Sequence, residues 1–111
     1  MSNDVVYLDV ENALKRVGGN ENLFKKLLKV FIHENIYESL YESIEKGAVE
    51  EISGLAHTLK GVSANLSLNS LRDIATAIEI DAKAGNDCKA SLPELKASFE
   101  KTSELVKEYI G

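Results

Sequence analysis

Helical spacing of apolar residues through most of the chain is the feature that most constrains its fold. Between residues 23 and 44, apolar side chains recur three or four positions apart, which is the period of one face of an α-helix. The same spacing returns in residues 52–66, 71–78 and 95–109, and no segment of useful length alternates as a β-strand does. Pro93 is the only proline among the 111 residues, so the sequence predicts an all-α fold.

Capping residues and glycines divide this pattern into five predicted helices. In chain order they occupy residues 9–17, 20–46, 49–66, a segment that starts within 67–70 and ends before 85, and 91–110. Asn35 is a candidate position for a bend in the long second helix, and residues 91–94 predict a capping box with proline in the first turn. Four long helices joined by short loops favour an up-down-up-down antiparallel four-helix bundle, with the short first helix across one end. We expect a single domain spanning residues 1–111.

Composition and charge argue against several classes of function. The formal net charge of -5, from 13 basic and 18 acidic side chains, disfavours a nucleic-acid surface, which needs a basic stripe. Cys88 is the only cysteine, so there is no disulfide framework and no cysteine-based zinc site. No apolar run approaches a membrane span, and the acidic N-terminus lacks the charge pattern of a signal peptide. We expect a cytoplasmic protein that binds neither nucleic acid nor membranes.

His57 lies in a run of small residues, AHTLKGVSANL at 56–66. With about 100° of rotation per residue, the leucines of this helix lie about 160° to 180° away from the histidine. We therefore predict that the imidazole is on the outer face, where Gly54, Gly61 and Ala64 leave space around it. A glycine inside a helix costs roughly 1 kcal/mol relative to alanine, so two on one face favour a functional reason.

Lys60 places a cation one helical turn from His57. A nucleophilic imidazole, a mobile positive charge and open space around both suit transfer of a phosphoryl group, because the cation offsets charge on the phosphate oxygens. The alternative is a helical protein-interaction module without phosphate chemistry, in which the glycine face packs against another helix. His33 has no metal-ligand spacing to His57, so no metal site is predicted.

Two segments of the chain resemble the histidine-containing phosphotransfer (HPt) domain family. The run HTLKG at 57–61, followed by SANL at 63–66, resembles the signature around the family's phosphorylated histidine. The run VGGN at 17–20, followed by leucines and a phenylalanine at 23–28, is similar to the segment that leads into the family's long helix. The resemblance covers most of the chain in helix order and spacing.

The resemblance implies a phosphocarrier rather than an enzyme. His57 would accept a phosphoryl group on Nε2 from the aspartyl phosphate of a response-regulator receiver domain and pass it to another receiver aspartate, with a hybrid sensor histidine kinase upstream. Lys60 would offset phosphate charge and Gly61 would give access. The carrier would need no cofactor, since Mg²⁺ is expected on the partner receiver only. It is expected to be a monomer, because its four bundle faces are already used.

An apolar patch beside the histidine that docks the receiver is also implied by the resemblance. Phe24 and Leu28, with Leu14 of the short helix nearby, are the candidate residues, and the competing interpretation is core packing. Lys83 is a second candidate phosphate-binding residue. Glu79, closer to the level of the histidine, is a candidate hydrogen-bond partner for the imidazole. The competing interpretation of both is a solvated surface charge.

The chain departs from two related sequence patterns. A histidine-kinase dimerisation helix pair would have an acidic residue after its histidine and a proline a few positions on, but Thr58 follows His57 and Val62 and Ser63 stand where the proline is expected. The HPt family usually has glycine at the position of Ser67, in the turn after the histidine helix. Because serine can cap the next helix instead, we expect a changed turn rather than lost function.

Overall fold

Six α-helices make up most of residues 6–111, the part of the chain that the computed structural model describes. They are α1 (Val10–Arg16), α2 (Glu21–His33), α3 (Ile36–Lys46), α4 (Val49–Asn65), α5 (Asn69–Lys83) and α6 (Leu92–Ile110), with a short 3₁₀ helix at Lys89–Ser91 before α6. The described residues contain no strand, so the predicted all-α class is confirmed. The first part of the acidic N-terminal segment, residues 1–5, lies outside the described residues.

Polar caps begin the first two helices where the sequence predicts them. The Asp9 carboxylate accepts a backbone N–H from the first turn of α1 at 3.1 Å, and the Asn20 side chain does the same for α2 at 3.0 Å. Gly18 and Gly19 follow α1 with φ of +63° and +79°. This left-handed backbone suits glycine, so the pair ends α1 and turns the chain into α2.

The predicted long second helix is two helices in the structure. Glu34 has an extended backbone, with φ of -75° and ψ of 147°, and this residue separates α2 from α3. Asn35 precedes α3 without a side-chain cap. Apolar residues recur four positions apart across the break, at Ile32, Ile36 and Leu40, so the periodicity runs through the break and hides it.

The core lies between α4 and its neighbours. α4 packs most extensively against α5 and also against α3, while α6 contacts α5, α2 and α3. Fully burying one large apolar side chain stabilises the fold by roughly 1.5–3 kcal/mol. The largest fully buried apolar side chains are Phe24, Leu28, Leu40, Ile44, Ile52, Leu59, Leu68, Leu71, Ile78, Leu95 and Val106.

Ser67 does not cap α5, contrary to the prediction. The N-cap position is Leu68, and Ser67 instead has a left-handed backbone with φ of +57°. Its side chain is buried, and its Oγ accepts a hydrogen bond from the Asn12 amide at 3.3 Å. Its carbonyl accepts the Asp9 N–H at 3.0 Å. Serine thus adopts the conformation that favours glycine, and it ties the segment that begins α1 to the α4–α5 turn.

The capping box before α6 is also wrong in detail. Ser91 is at the N-cap position, but its side chain makes no capping hydrogen bond. Its backbone is already helical, with φ of -85° and ψ of -11°, because it ends the 3₁₀ helix. An N-cap side chain reaches its N–H donors from a non-helical backbone, so the motif cannot form here. Pro93 does lie in the first turn of α6.

Candidate functional site

His57 lies in the middle of α4 on its outward face. Its side chain is 69% exposed. Ile52 and Leu59 of the same helix are fully buried. The histidine is therefore on the face that helical geometry predicts from the sequence, and it is open to a partner molecule.

Gly54 and Gly61 lie one turn before and one turn after the histidine, and both are exposed. A Cβ atom added at either position would meet no atom within 4 Å. Neither glycine is therefore required for packing within the described part of the chain. Ala64 is half-buried on the same side of the helix. Few side-chain atoms therefore project from the helix around His57. The chain keeps glycine at both positions although alanine at either one would stabilise the helix by roughly 1 kcal/mol.

Glu79 of α5 is a buried acid that faces the histidine. Its side chain is 6% exposed, and its Oε2 lies 2.9 Å from Nδ1 of His57. Lys60 Nζ lies 2.6 Å from Oε1 of Glu79, and Lys83 Nζ lies 3.2 Å from Oε2. The histidine–glutamate hydrogen bond considered from the sequence is present. We call these four residues the histidine cluster.

The cluster keeps the carboxyl group of Glu79 ionised. The hydrogen bond from Lys60, followed by those from Lys83 and His57, lowers the pKa of Glu79 from 4.5 to about 2, against the opposing effect of burial. A carboxylate can only accept hydrogen bonds, so Nδ1 of His57 must be the donor. A neutral imidazole that carries its proton on Nδ1 has its lone pair on Nε2. The network thus selects Nε2 as the nucleophilic nitrogen.

The two candidate phosphate-binding lysines share this one acid. Lys60 reaches it from α4, and Lys83 reaches it along α5 from four positions further on. The backbone of Lys83 lies further along α5 than the point opposite His57. Because helical side chains lean toward the N-terminus of the helix, its ammonium group still reaches the cluster. Glu79 holds both cations beside the histidine.

Phe24 and Leu28 cannot contact a docked partner, so their prediction as docking residues is wrong. They are 1% and 0% exposed. The Phe24 ring packs against the Tyr109 ring of α6, with 5.6 Å between centroids. Leu14 is half-buried and packs against the core cluster. The bundle uses this edge of the apolar stripe for its own packing.

The exposed edge of α2 carries a second apolar stripe that the sequence analysis missed. Leu23, Leu27 and Val30 are 41%, 39% and 51% exposed. Each immediately precedes a buried residue in the sequence. Only the rotation of α2 about its axis in the bundle therefore decides which of the two neighbouring apolar stripes is buried and which is exposed. Part of this stripe borders an open groove of about 620 Å³ next to α4. The groove is lined by Arg16, Val17, Leu27, Val30, Phe31, Glu34, Val62, Asn65 and Leu66.

Among residues 6–111, no group of three or more His, Cys, Asp and Glu side chains is arranged to hold a metal ion. In the same range, no helix has both the length and the apolar character needed to cross a membrane.

The fold and the site together define a helical protein that presents an exposed histidine, hydrogen-bonded to a buried acid, on its surface. The family model of the Hpt domain matches residues 26–105, which include α3, α4, α5 and the whole histidine cluster. The chain therefore belongs to the Hpt domain family, whose members take part in histidine phosphotransfer in phosphorelays as carriers rather than kinases. No curated protein and no solved structure gave a significant match.

Proposed function

We propose that this chain is a phosphocarrier in which His57 accepts a phosphoryl group from the aspartyl phosphate of one receiver domain and passes it to an aspartate of another. The observation that carries the proposal is the 2.9 Å hydrogen bond between Nδ1 of His57 and the buried Glu79. It fixes the ring and directs the lone pair of Nε2 away from the acid. The carrier acts as a cytoplasmic monomer, as one domain over residues 1–111 with up-down-up-down bundle topology, below a hybrid sensor histidine kinase.

In the transfer step, Nε2 of His57 forms a bond to phosphorus while the bond between phosphorus and the aspartate oxygen breaks. The electron pair of the broken bond leaves with the receiver carboxylate. No proton has to move during the attack, because the ring proton is already on Nδ1. The ammonium group of Lys60 offsets charge on the phosphoryl oxygens as they approach. Mg²⁺ belongs to the receiver, and this chain needs no cofactor.

The receiver docks over the groove beside α4 in this proposal. Asn65, which lines the groove and is exposed, lies about 80° around α4 from His57, so the groove flanks the face that carries the histidine. Leu27 and Val30 supply exposed apolar surface, and Arg16 and Glu34 add one charge of each sign to the lining. The exposed apolar side chains are the surface that a receiver would cover. Docking there leaves Gly54 and Gly61 as the open approach to the ring.

The proposal is tested by phosphoryl transfer from a labelled, phosphorylated receiver domain. The natural protein should become labelled with the acid lability and base stability of a phosphoramidate, and His57→Gln should take no label while keeping its helical circular dichroism. Lys60→Ala should take label more slowly, because it loses a charge but keeps the nucleophile. His33→Gln is the matched control, since His33 is the only other histidine and is exposed on α2.

Label on His57→Gln equal to that on the natural protein would contradict the assignment of the nucleophile. If the natural protein binds receivers but takes no label from any of them, the protein is instead a helical interaction module. In that case His57→Gln should bind those receivers as tightly as the natural protein does. A titration with the unphosphorylated receiver measures this directly.

A further inference from the structure

We propose that Glu79 is a positioning residue that keeps the phosphoryl group of this carrier transferable, by holding the proton on Nδ1 of His57 after Nε2 has been phosphorylated. This inference rests on the proposed function and concerns the second half of the reaction, the departure of the phosphoryl group. The acceptor half needs only the lone pair on Nε2. The donor half depends on what becomes of the ring proton.

The ring proton decides how good a leaving group the histidine is. When the bond between Nε2 and phosphorus breaks, its electron pair returns to Nε2 and the phosphoryl group joins the carboxylate oxygen of the receiver. With the proton on Nδ1, the ring leaves as neutral imidazole. Without that proton the ring would have to leave as an imidazolate anion, which is a far stronger base and a much poorer leaving group. A phosphohistidine that loses its ring proton therefore retains its phosphoryl group.

The geometry of Glu79 favours retention of that proton. A phosphorylated ring that keeps the proton carries a positive charge, and the Glu79 carboxylate lies 2.9 Å from the nitrogen that bears it. The acid is nearly buried, so water screens this charge pair less than it would at the surface. Hydrogen bonds between charged partners are roughly twice as strong as those between neutral ones. The carboxylate thus stabilises the protonated ring more than the deprotonated one.

The other charged groups of the cluster act in the opposite direction. Lys60 on α4 and Lys83 on α5 are cations, and each repels a cationic ring. α3, the other helix packed extensively on α4, contributes no ion pair or hydrogen bond to the cluster in the described part of the chain. Glu79 is therefore the protein group that holds the ring proton. Its two lysine partners keep the acid ionised and can turn toward the phosphoryl oxygens.

Glu79→Gln removes the negative charge of the acid and nearly preserves the shape of its side chain. The glutamine side-chain oxygen can still accept the Nδ1–H bond, and in that orientation the lone pair stays on Nε2. The neutral amide cannot stabilise the cationic ring. We expect this variant to accept label from a receiver but to release it poorly.

The experiment follows the onward step on the full chain. The natural protein and Glu79→Gln are labelled by a phosphorylated receiver, isolated, and mixed with an unphosphorylated receiver across a range of pH. The rate of transfer should fall as the ring proton is lost, with its midpoint at a lower pH in Glu79→Gln, because the neutral amide no longer stabilises the protonated ring. Asp73→Asn is the matched control, because it makes the same charge change on an exposed part of α5, and its profile should coincide with that of the natural protein.

A direct measurement keeps the inference testable even if Glu79→Gln does not fold. The ¹⁵N chemical shifts of the phosphorylated His57 ring report the proton on Nδ1, and the same phosphoprotein unfolded in urea supplies the reference. The folded protein should retain the proton to higher pH than the unfolded one. Equal midpoints in folded and unfolded protein, or coincident transfer profiles for Glu79→Gln and the natural protein, would overturn the inference. Failure of the proposed function is a different result, since the natural protein would then take no label on His57.

Discussion

The two flanks of α4 differ in what covers them. On one flank Lys60, about 60° around the helix from His57, reaches toward α5 and pairs with the buried Glu79. On the other, exposed Asn65 lies about 80° from the histidine and borders the open groove. The first flank is closed by an extensive helix–helix contact, and the second is an open groove. His57 lies between the two.

This difference separates two requirements of a phosphocarrier. Chemistry at the ring needs side chains held at fixed distances, and the packed pair of α4 and α5 provides them. Recognition of a receiver needs surface that the bundle does not use itself, and the outer edge of α2 is the surface that we propose for it. Variants that change one flank should therefore leave the function of the other intact, and the following comparisons test this.

The largest expected effect separates the two edges of α2. Leu28→Ala removes a fully buried side chain and should lower the free energy of unfolding by about 2–5 kcal/mol. Leu27→Ala makes the same chemical change one position earlier, at a residue that is 39% exposed, and should lower it by less than about 1 kcal/mol. Leu27→Ala should instead weaken receiver binding. Urea denaturation and a binding titration measure the pair, and equal losses of stability would show that the division of α2 into two edges is wrong.

A second comparison tests the open face between the flanks. Gly61→Gln should fold and gain up to about 1 kcal/mol in stability, since glutamine favours a helix more than glycine does and the site is open. Its phosphoryl transfer should fall by roughly 100-fold, because displacing the reacting groups by an ångström can cost that much. Gly61→Ala adds only a methyl group, so its rate of phosphoryl transfer should lie between those of the natural protein and Gly61→Gln. Normal initial rates of transfer in Gly61→Gln would rule out the idea that the glycine gives access.

The position of His57 could be predicted from sequence because only one helix is involved. About 100° of rotation per residue determines which side chains of a single helix share a face, so the outward histidine and its small neighbours follow from spacing alone. Glu79 was weighed as a partner on similar grounds, by counting along two helices from the turn that joins them. Its burial was not predicted, because burial depends on how closely α5 packs against α4.

The errors concern features that helical periodicity cannot resolve. The outward edge of α2 depends on its rotation against the rest of the bundle, and buried and exposed apolar residues alternate there as neighbours in sequence. The break at Glu34 lies between two helices whose apolar stripes continue one another. Ser67 was predicted from the usual preference of serine for N-caps, whereas the turn between α4 and α5 requires a left-handed backbone at that residue.

The smallest expected effect concerns that turn, which sets the register that brings Glu79 opposite His57. Ser67→Ala keeps the left-handed backbone and loses the hydrogen bond from Asn12, so it should destabilise the protein by about 1 kcal/mol. Ser67→Gly loses the same bond but removes the steric penalty of a side chain at φ of +57°, roughly 1–2 kcal/mol, against the extra backbone entropy of glycine in the unfolded chain.

The glycine variant should therefore be at least as stable as the alanine variant, and both should transfer phosphoryl groups at the natural rate. Urea denaturation ranks the three proteins, and transfer assays check the register. A glycine variant less stable than the alanine variant would mean that the strain at the φ of Ser67 is smaller than the entropy cost of glycine in the unfolded chain. Slow transfer in either variant would mean that the hydroxyl of Ser67, and with it the contact to Asn12, helps to hold the histidine cluster in place across the α4–α5 pair.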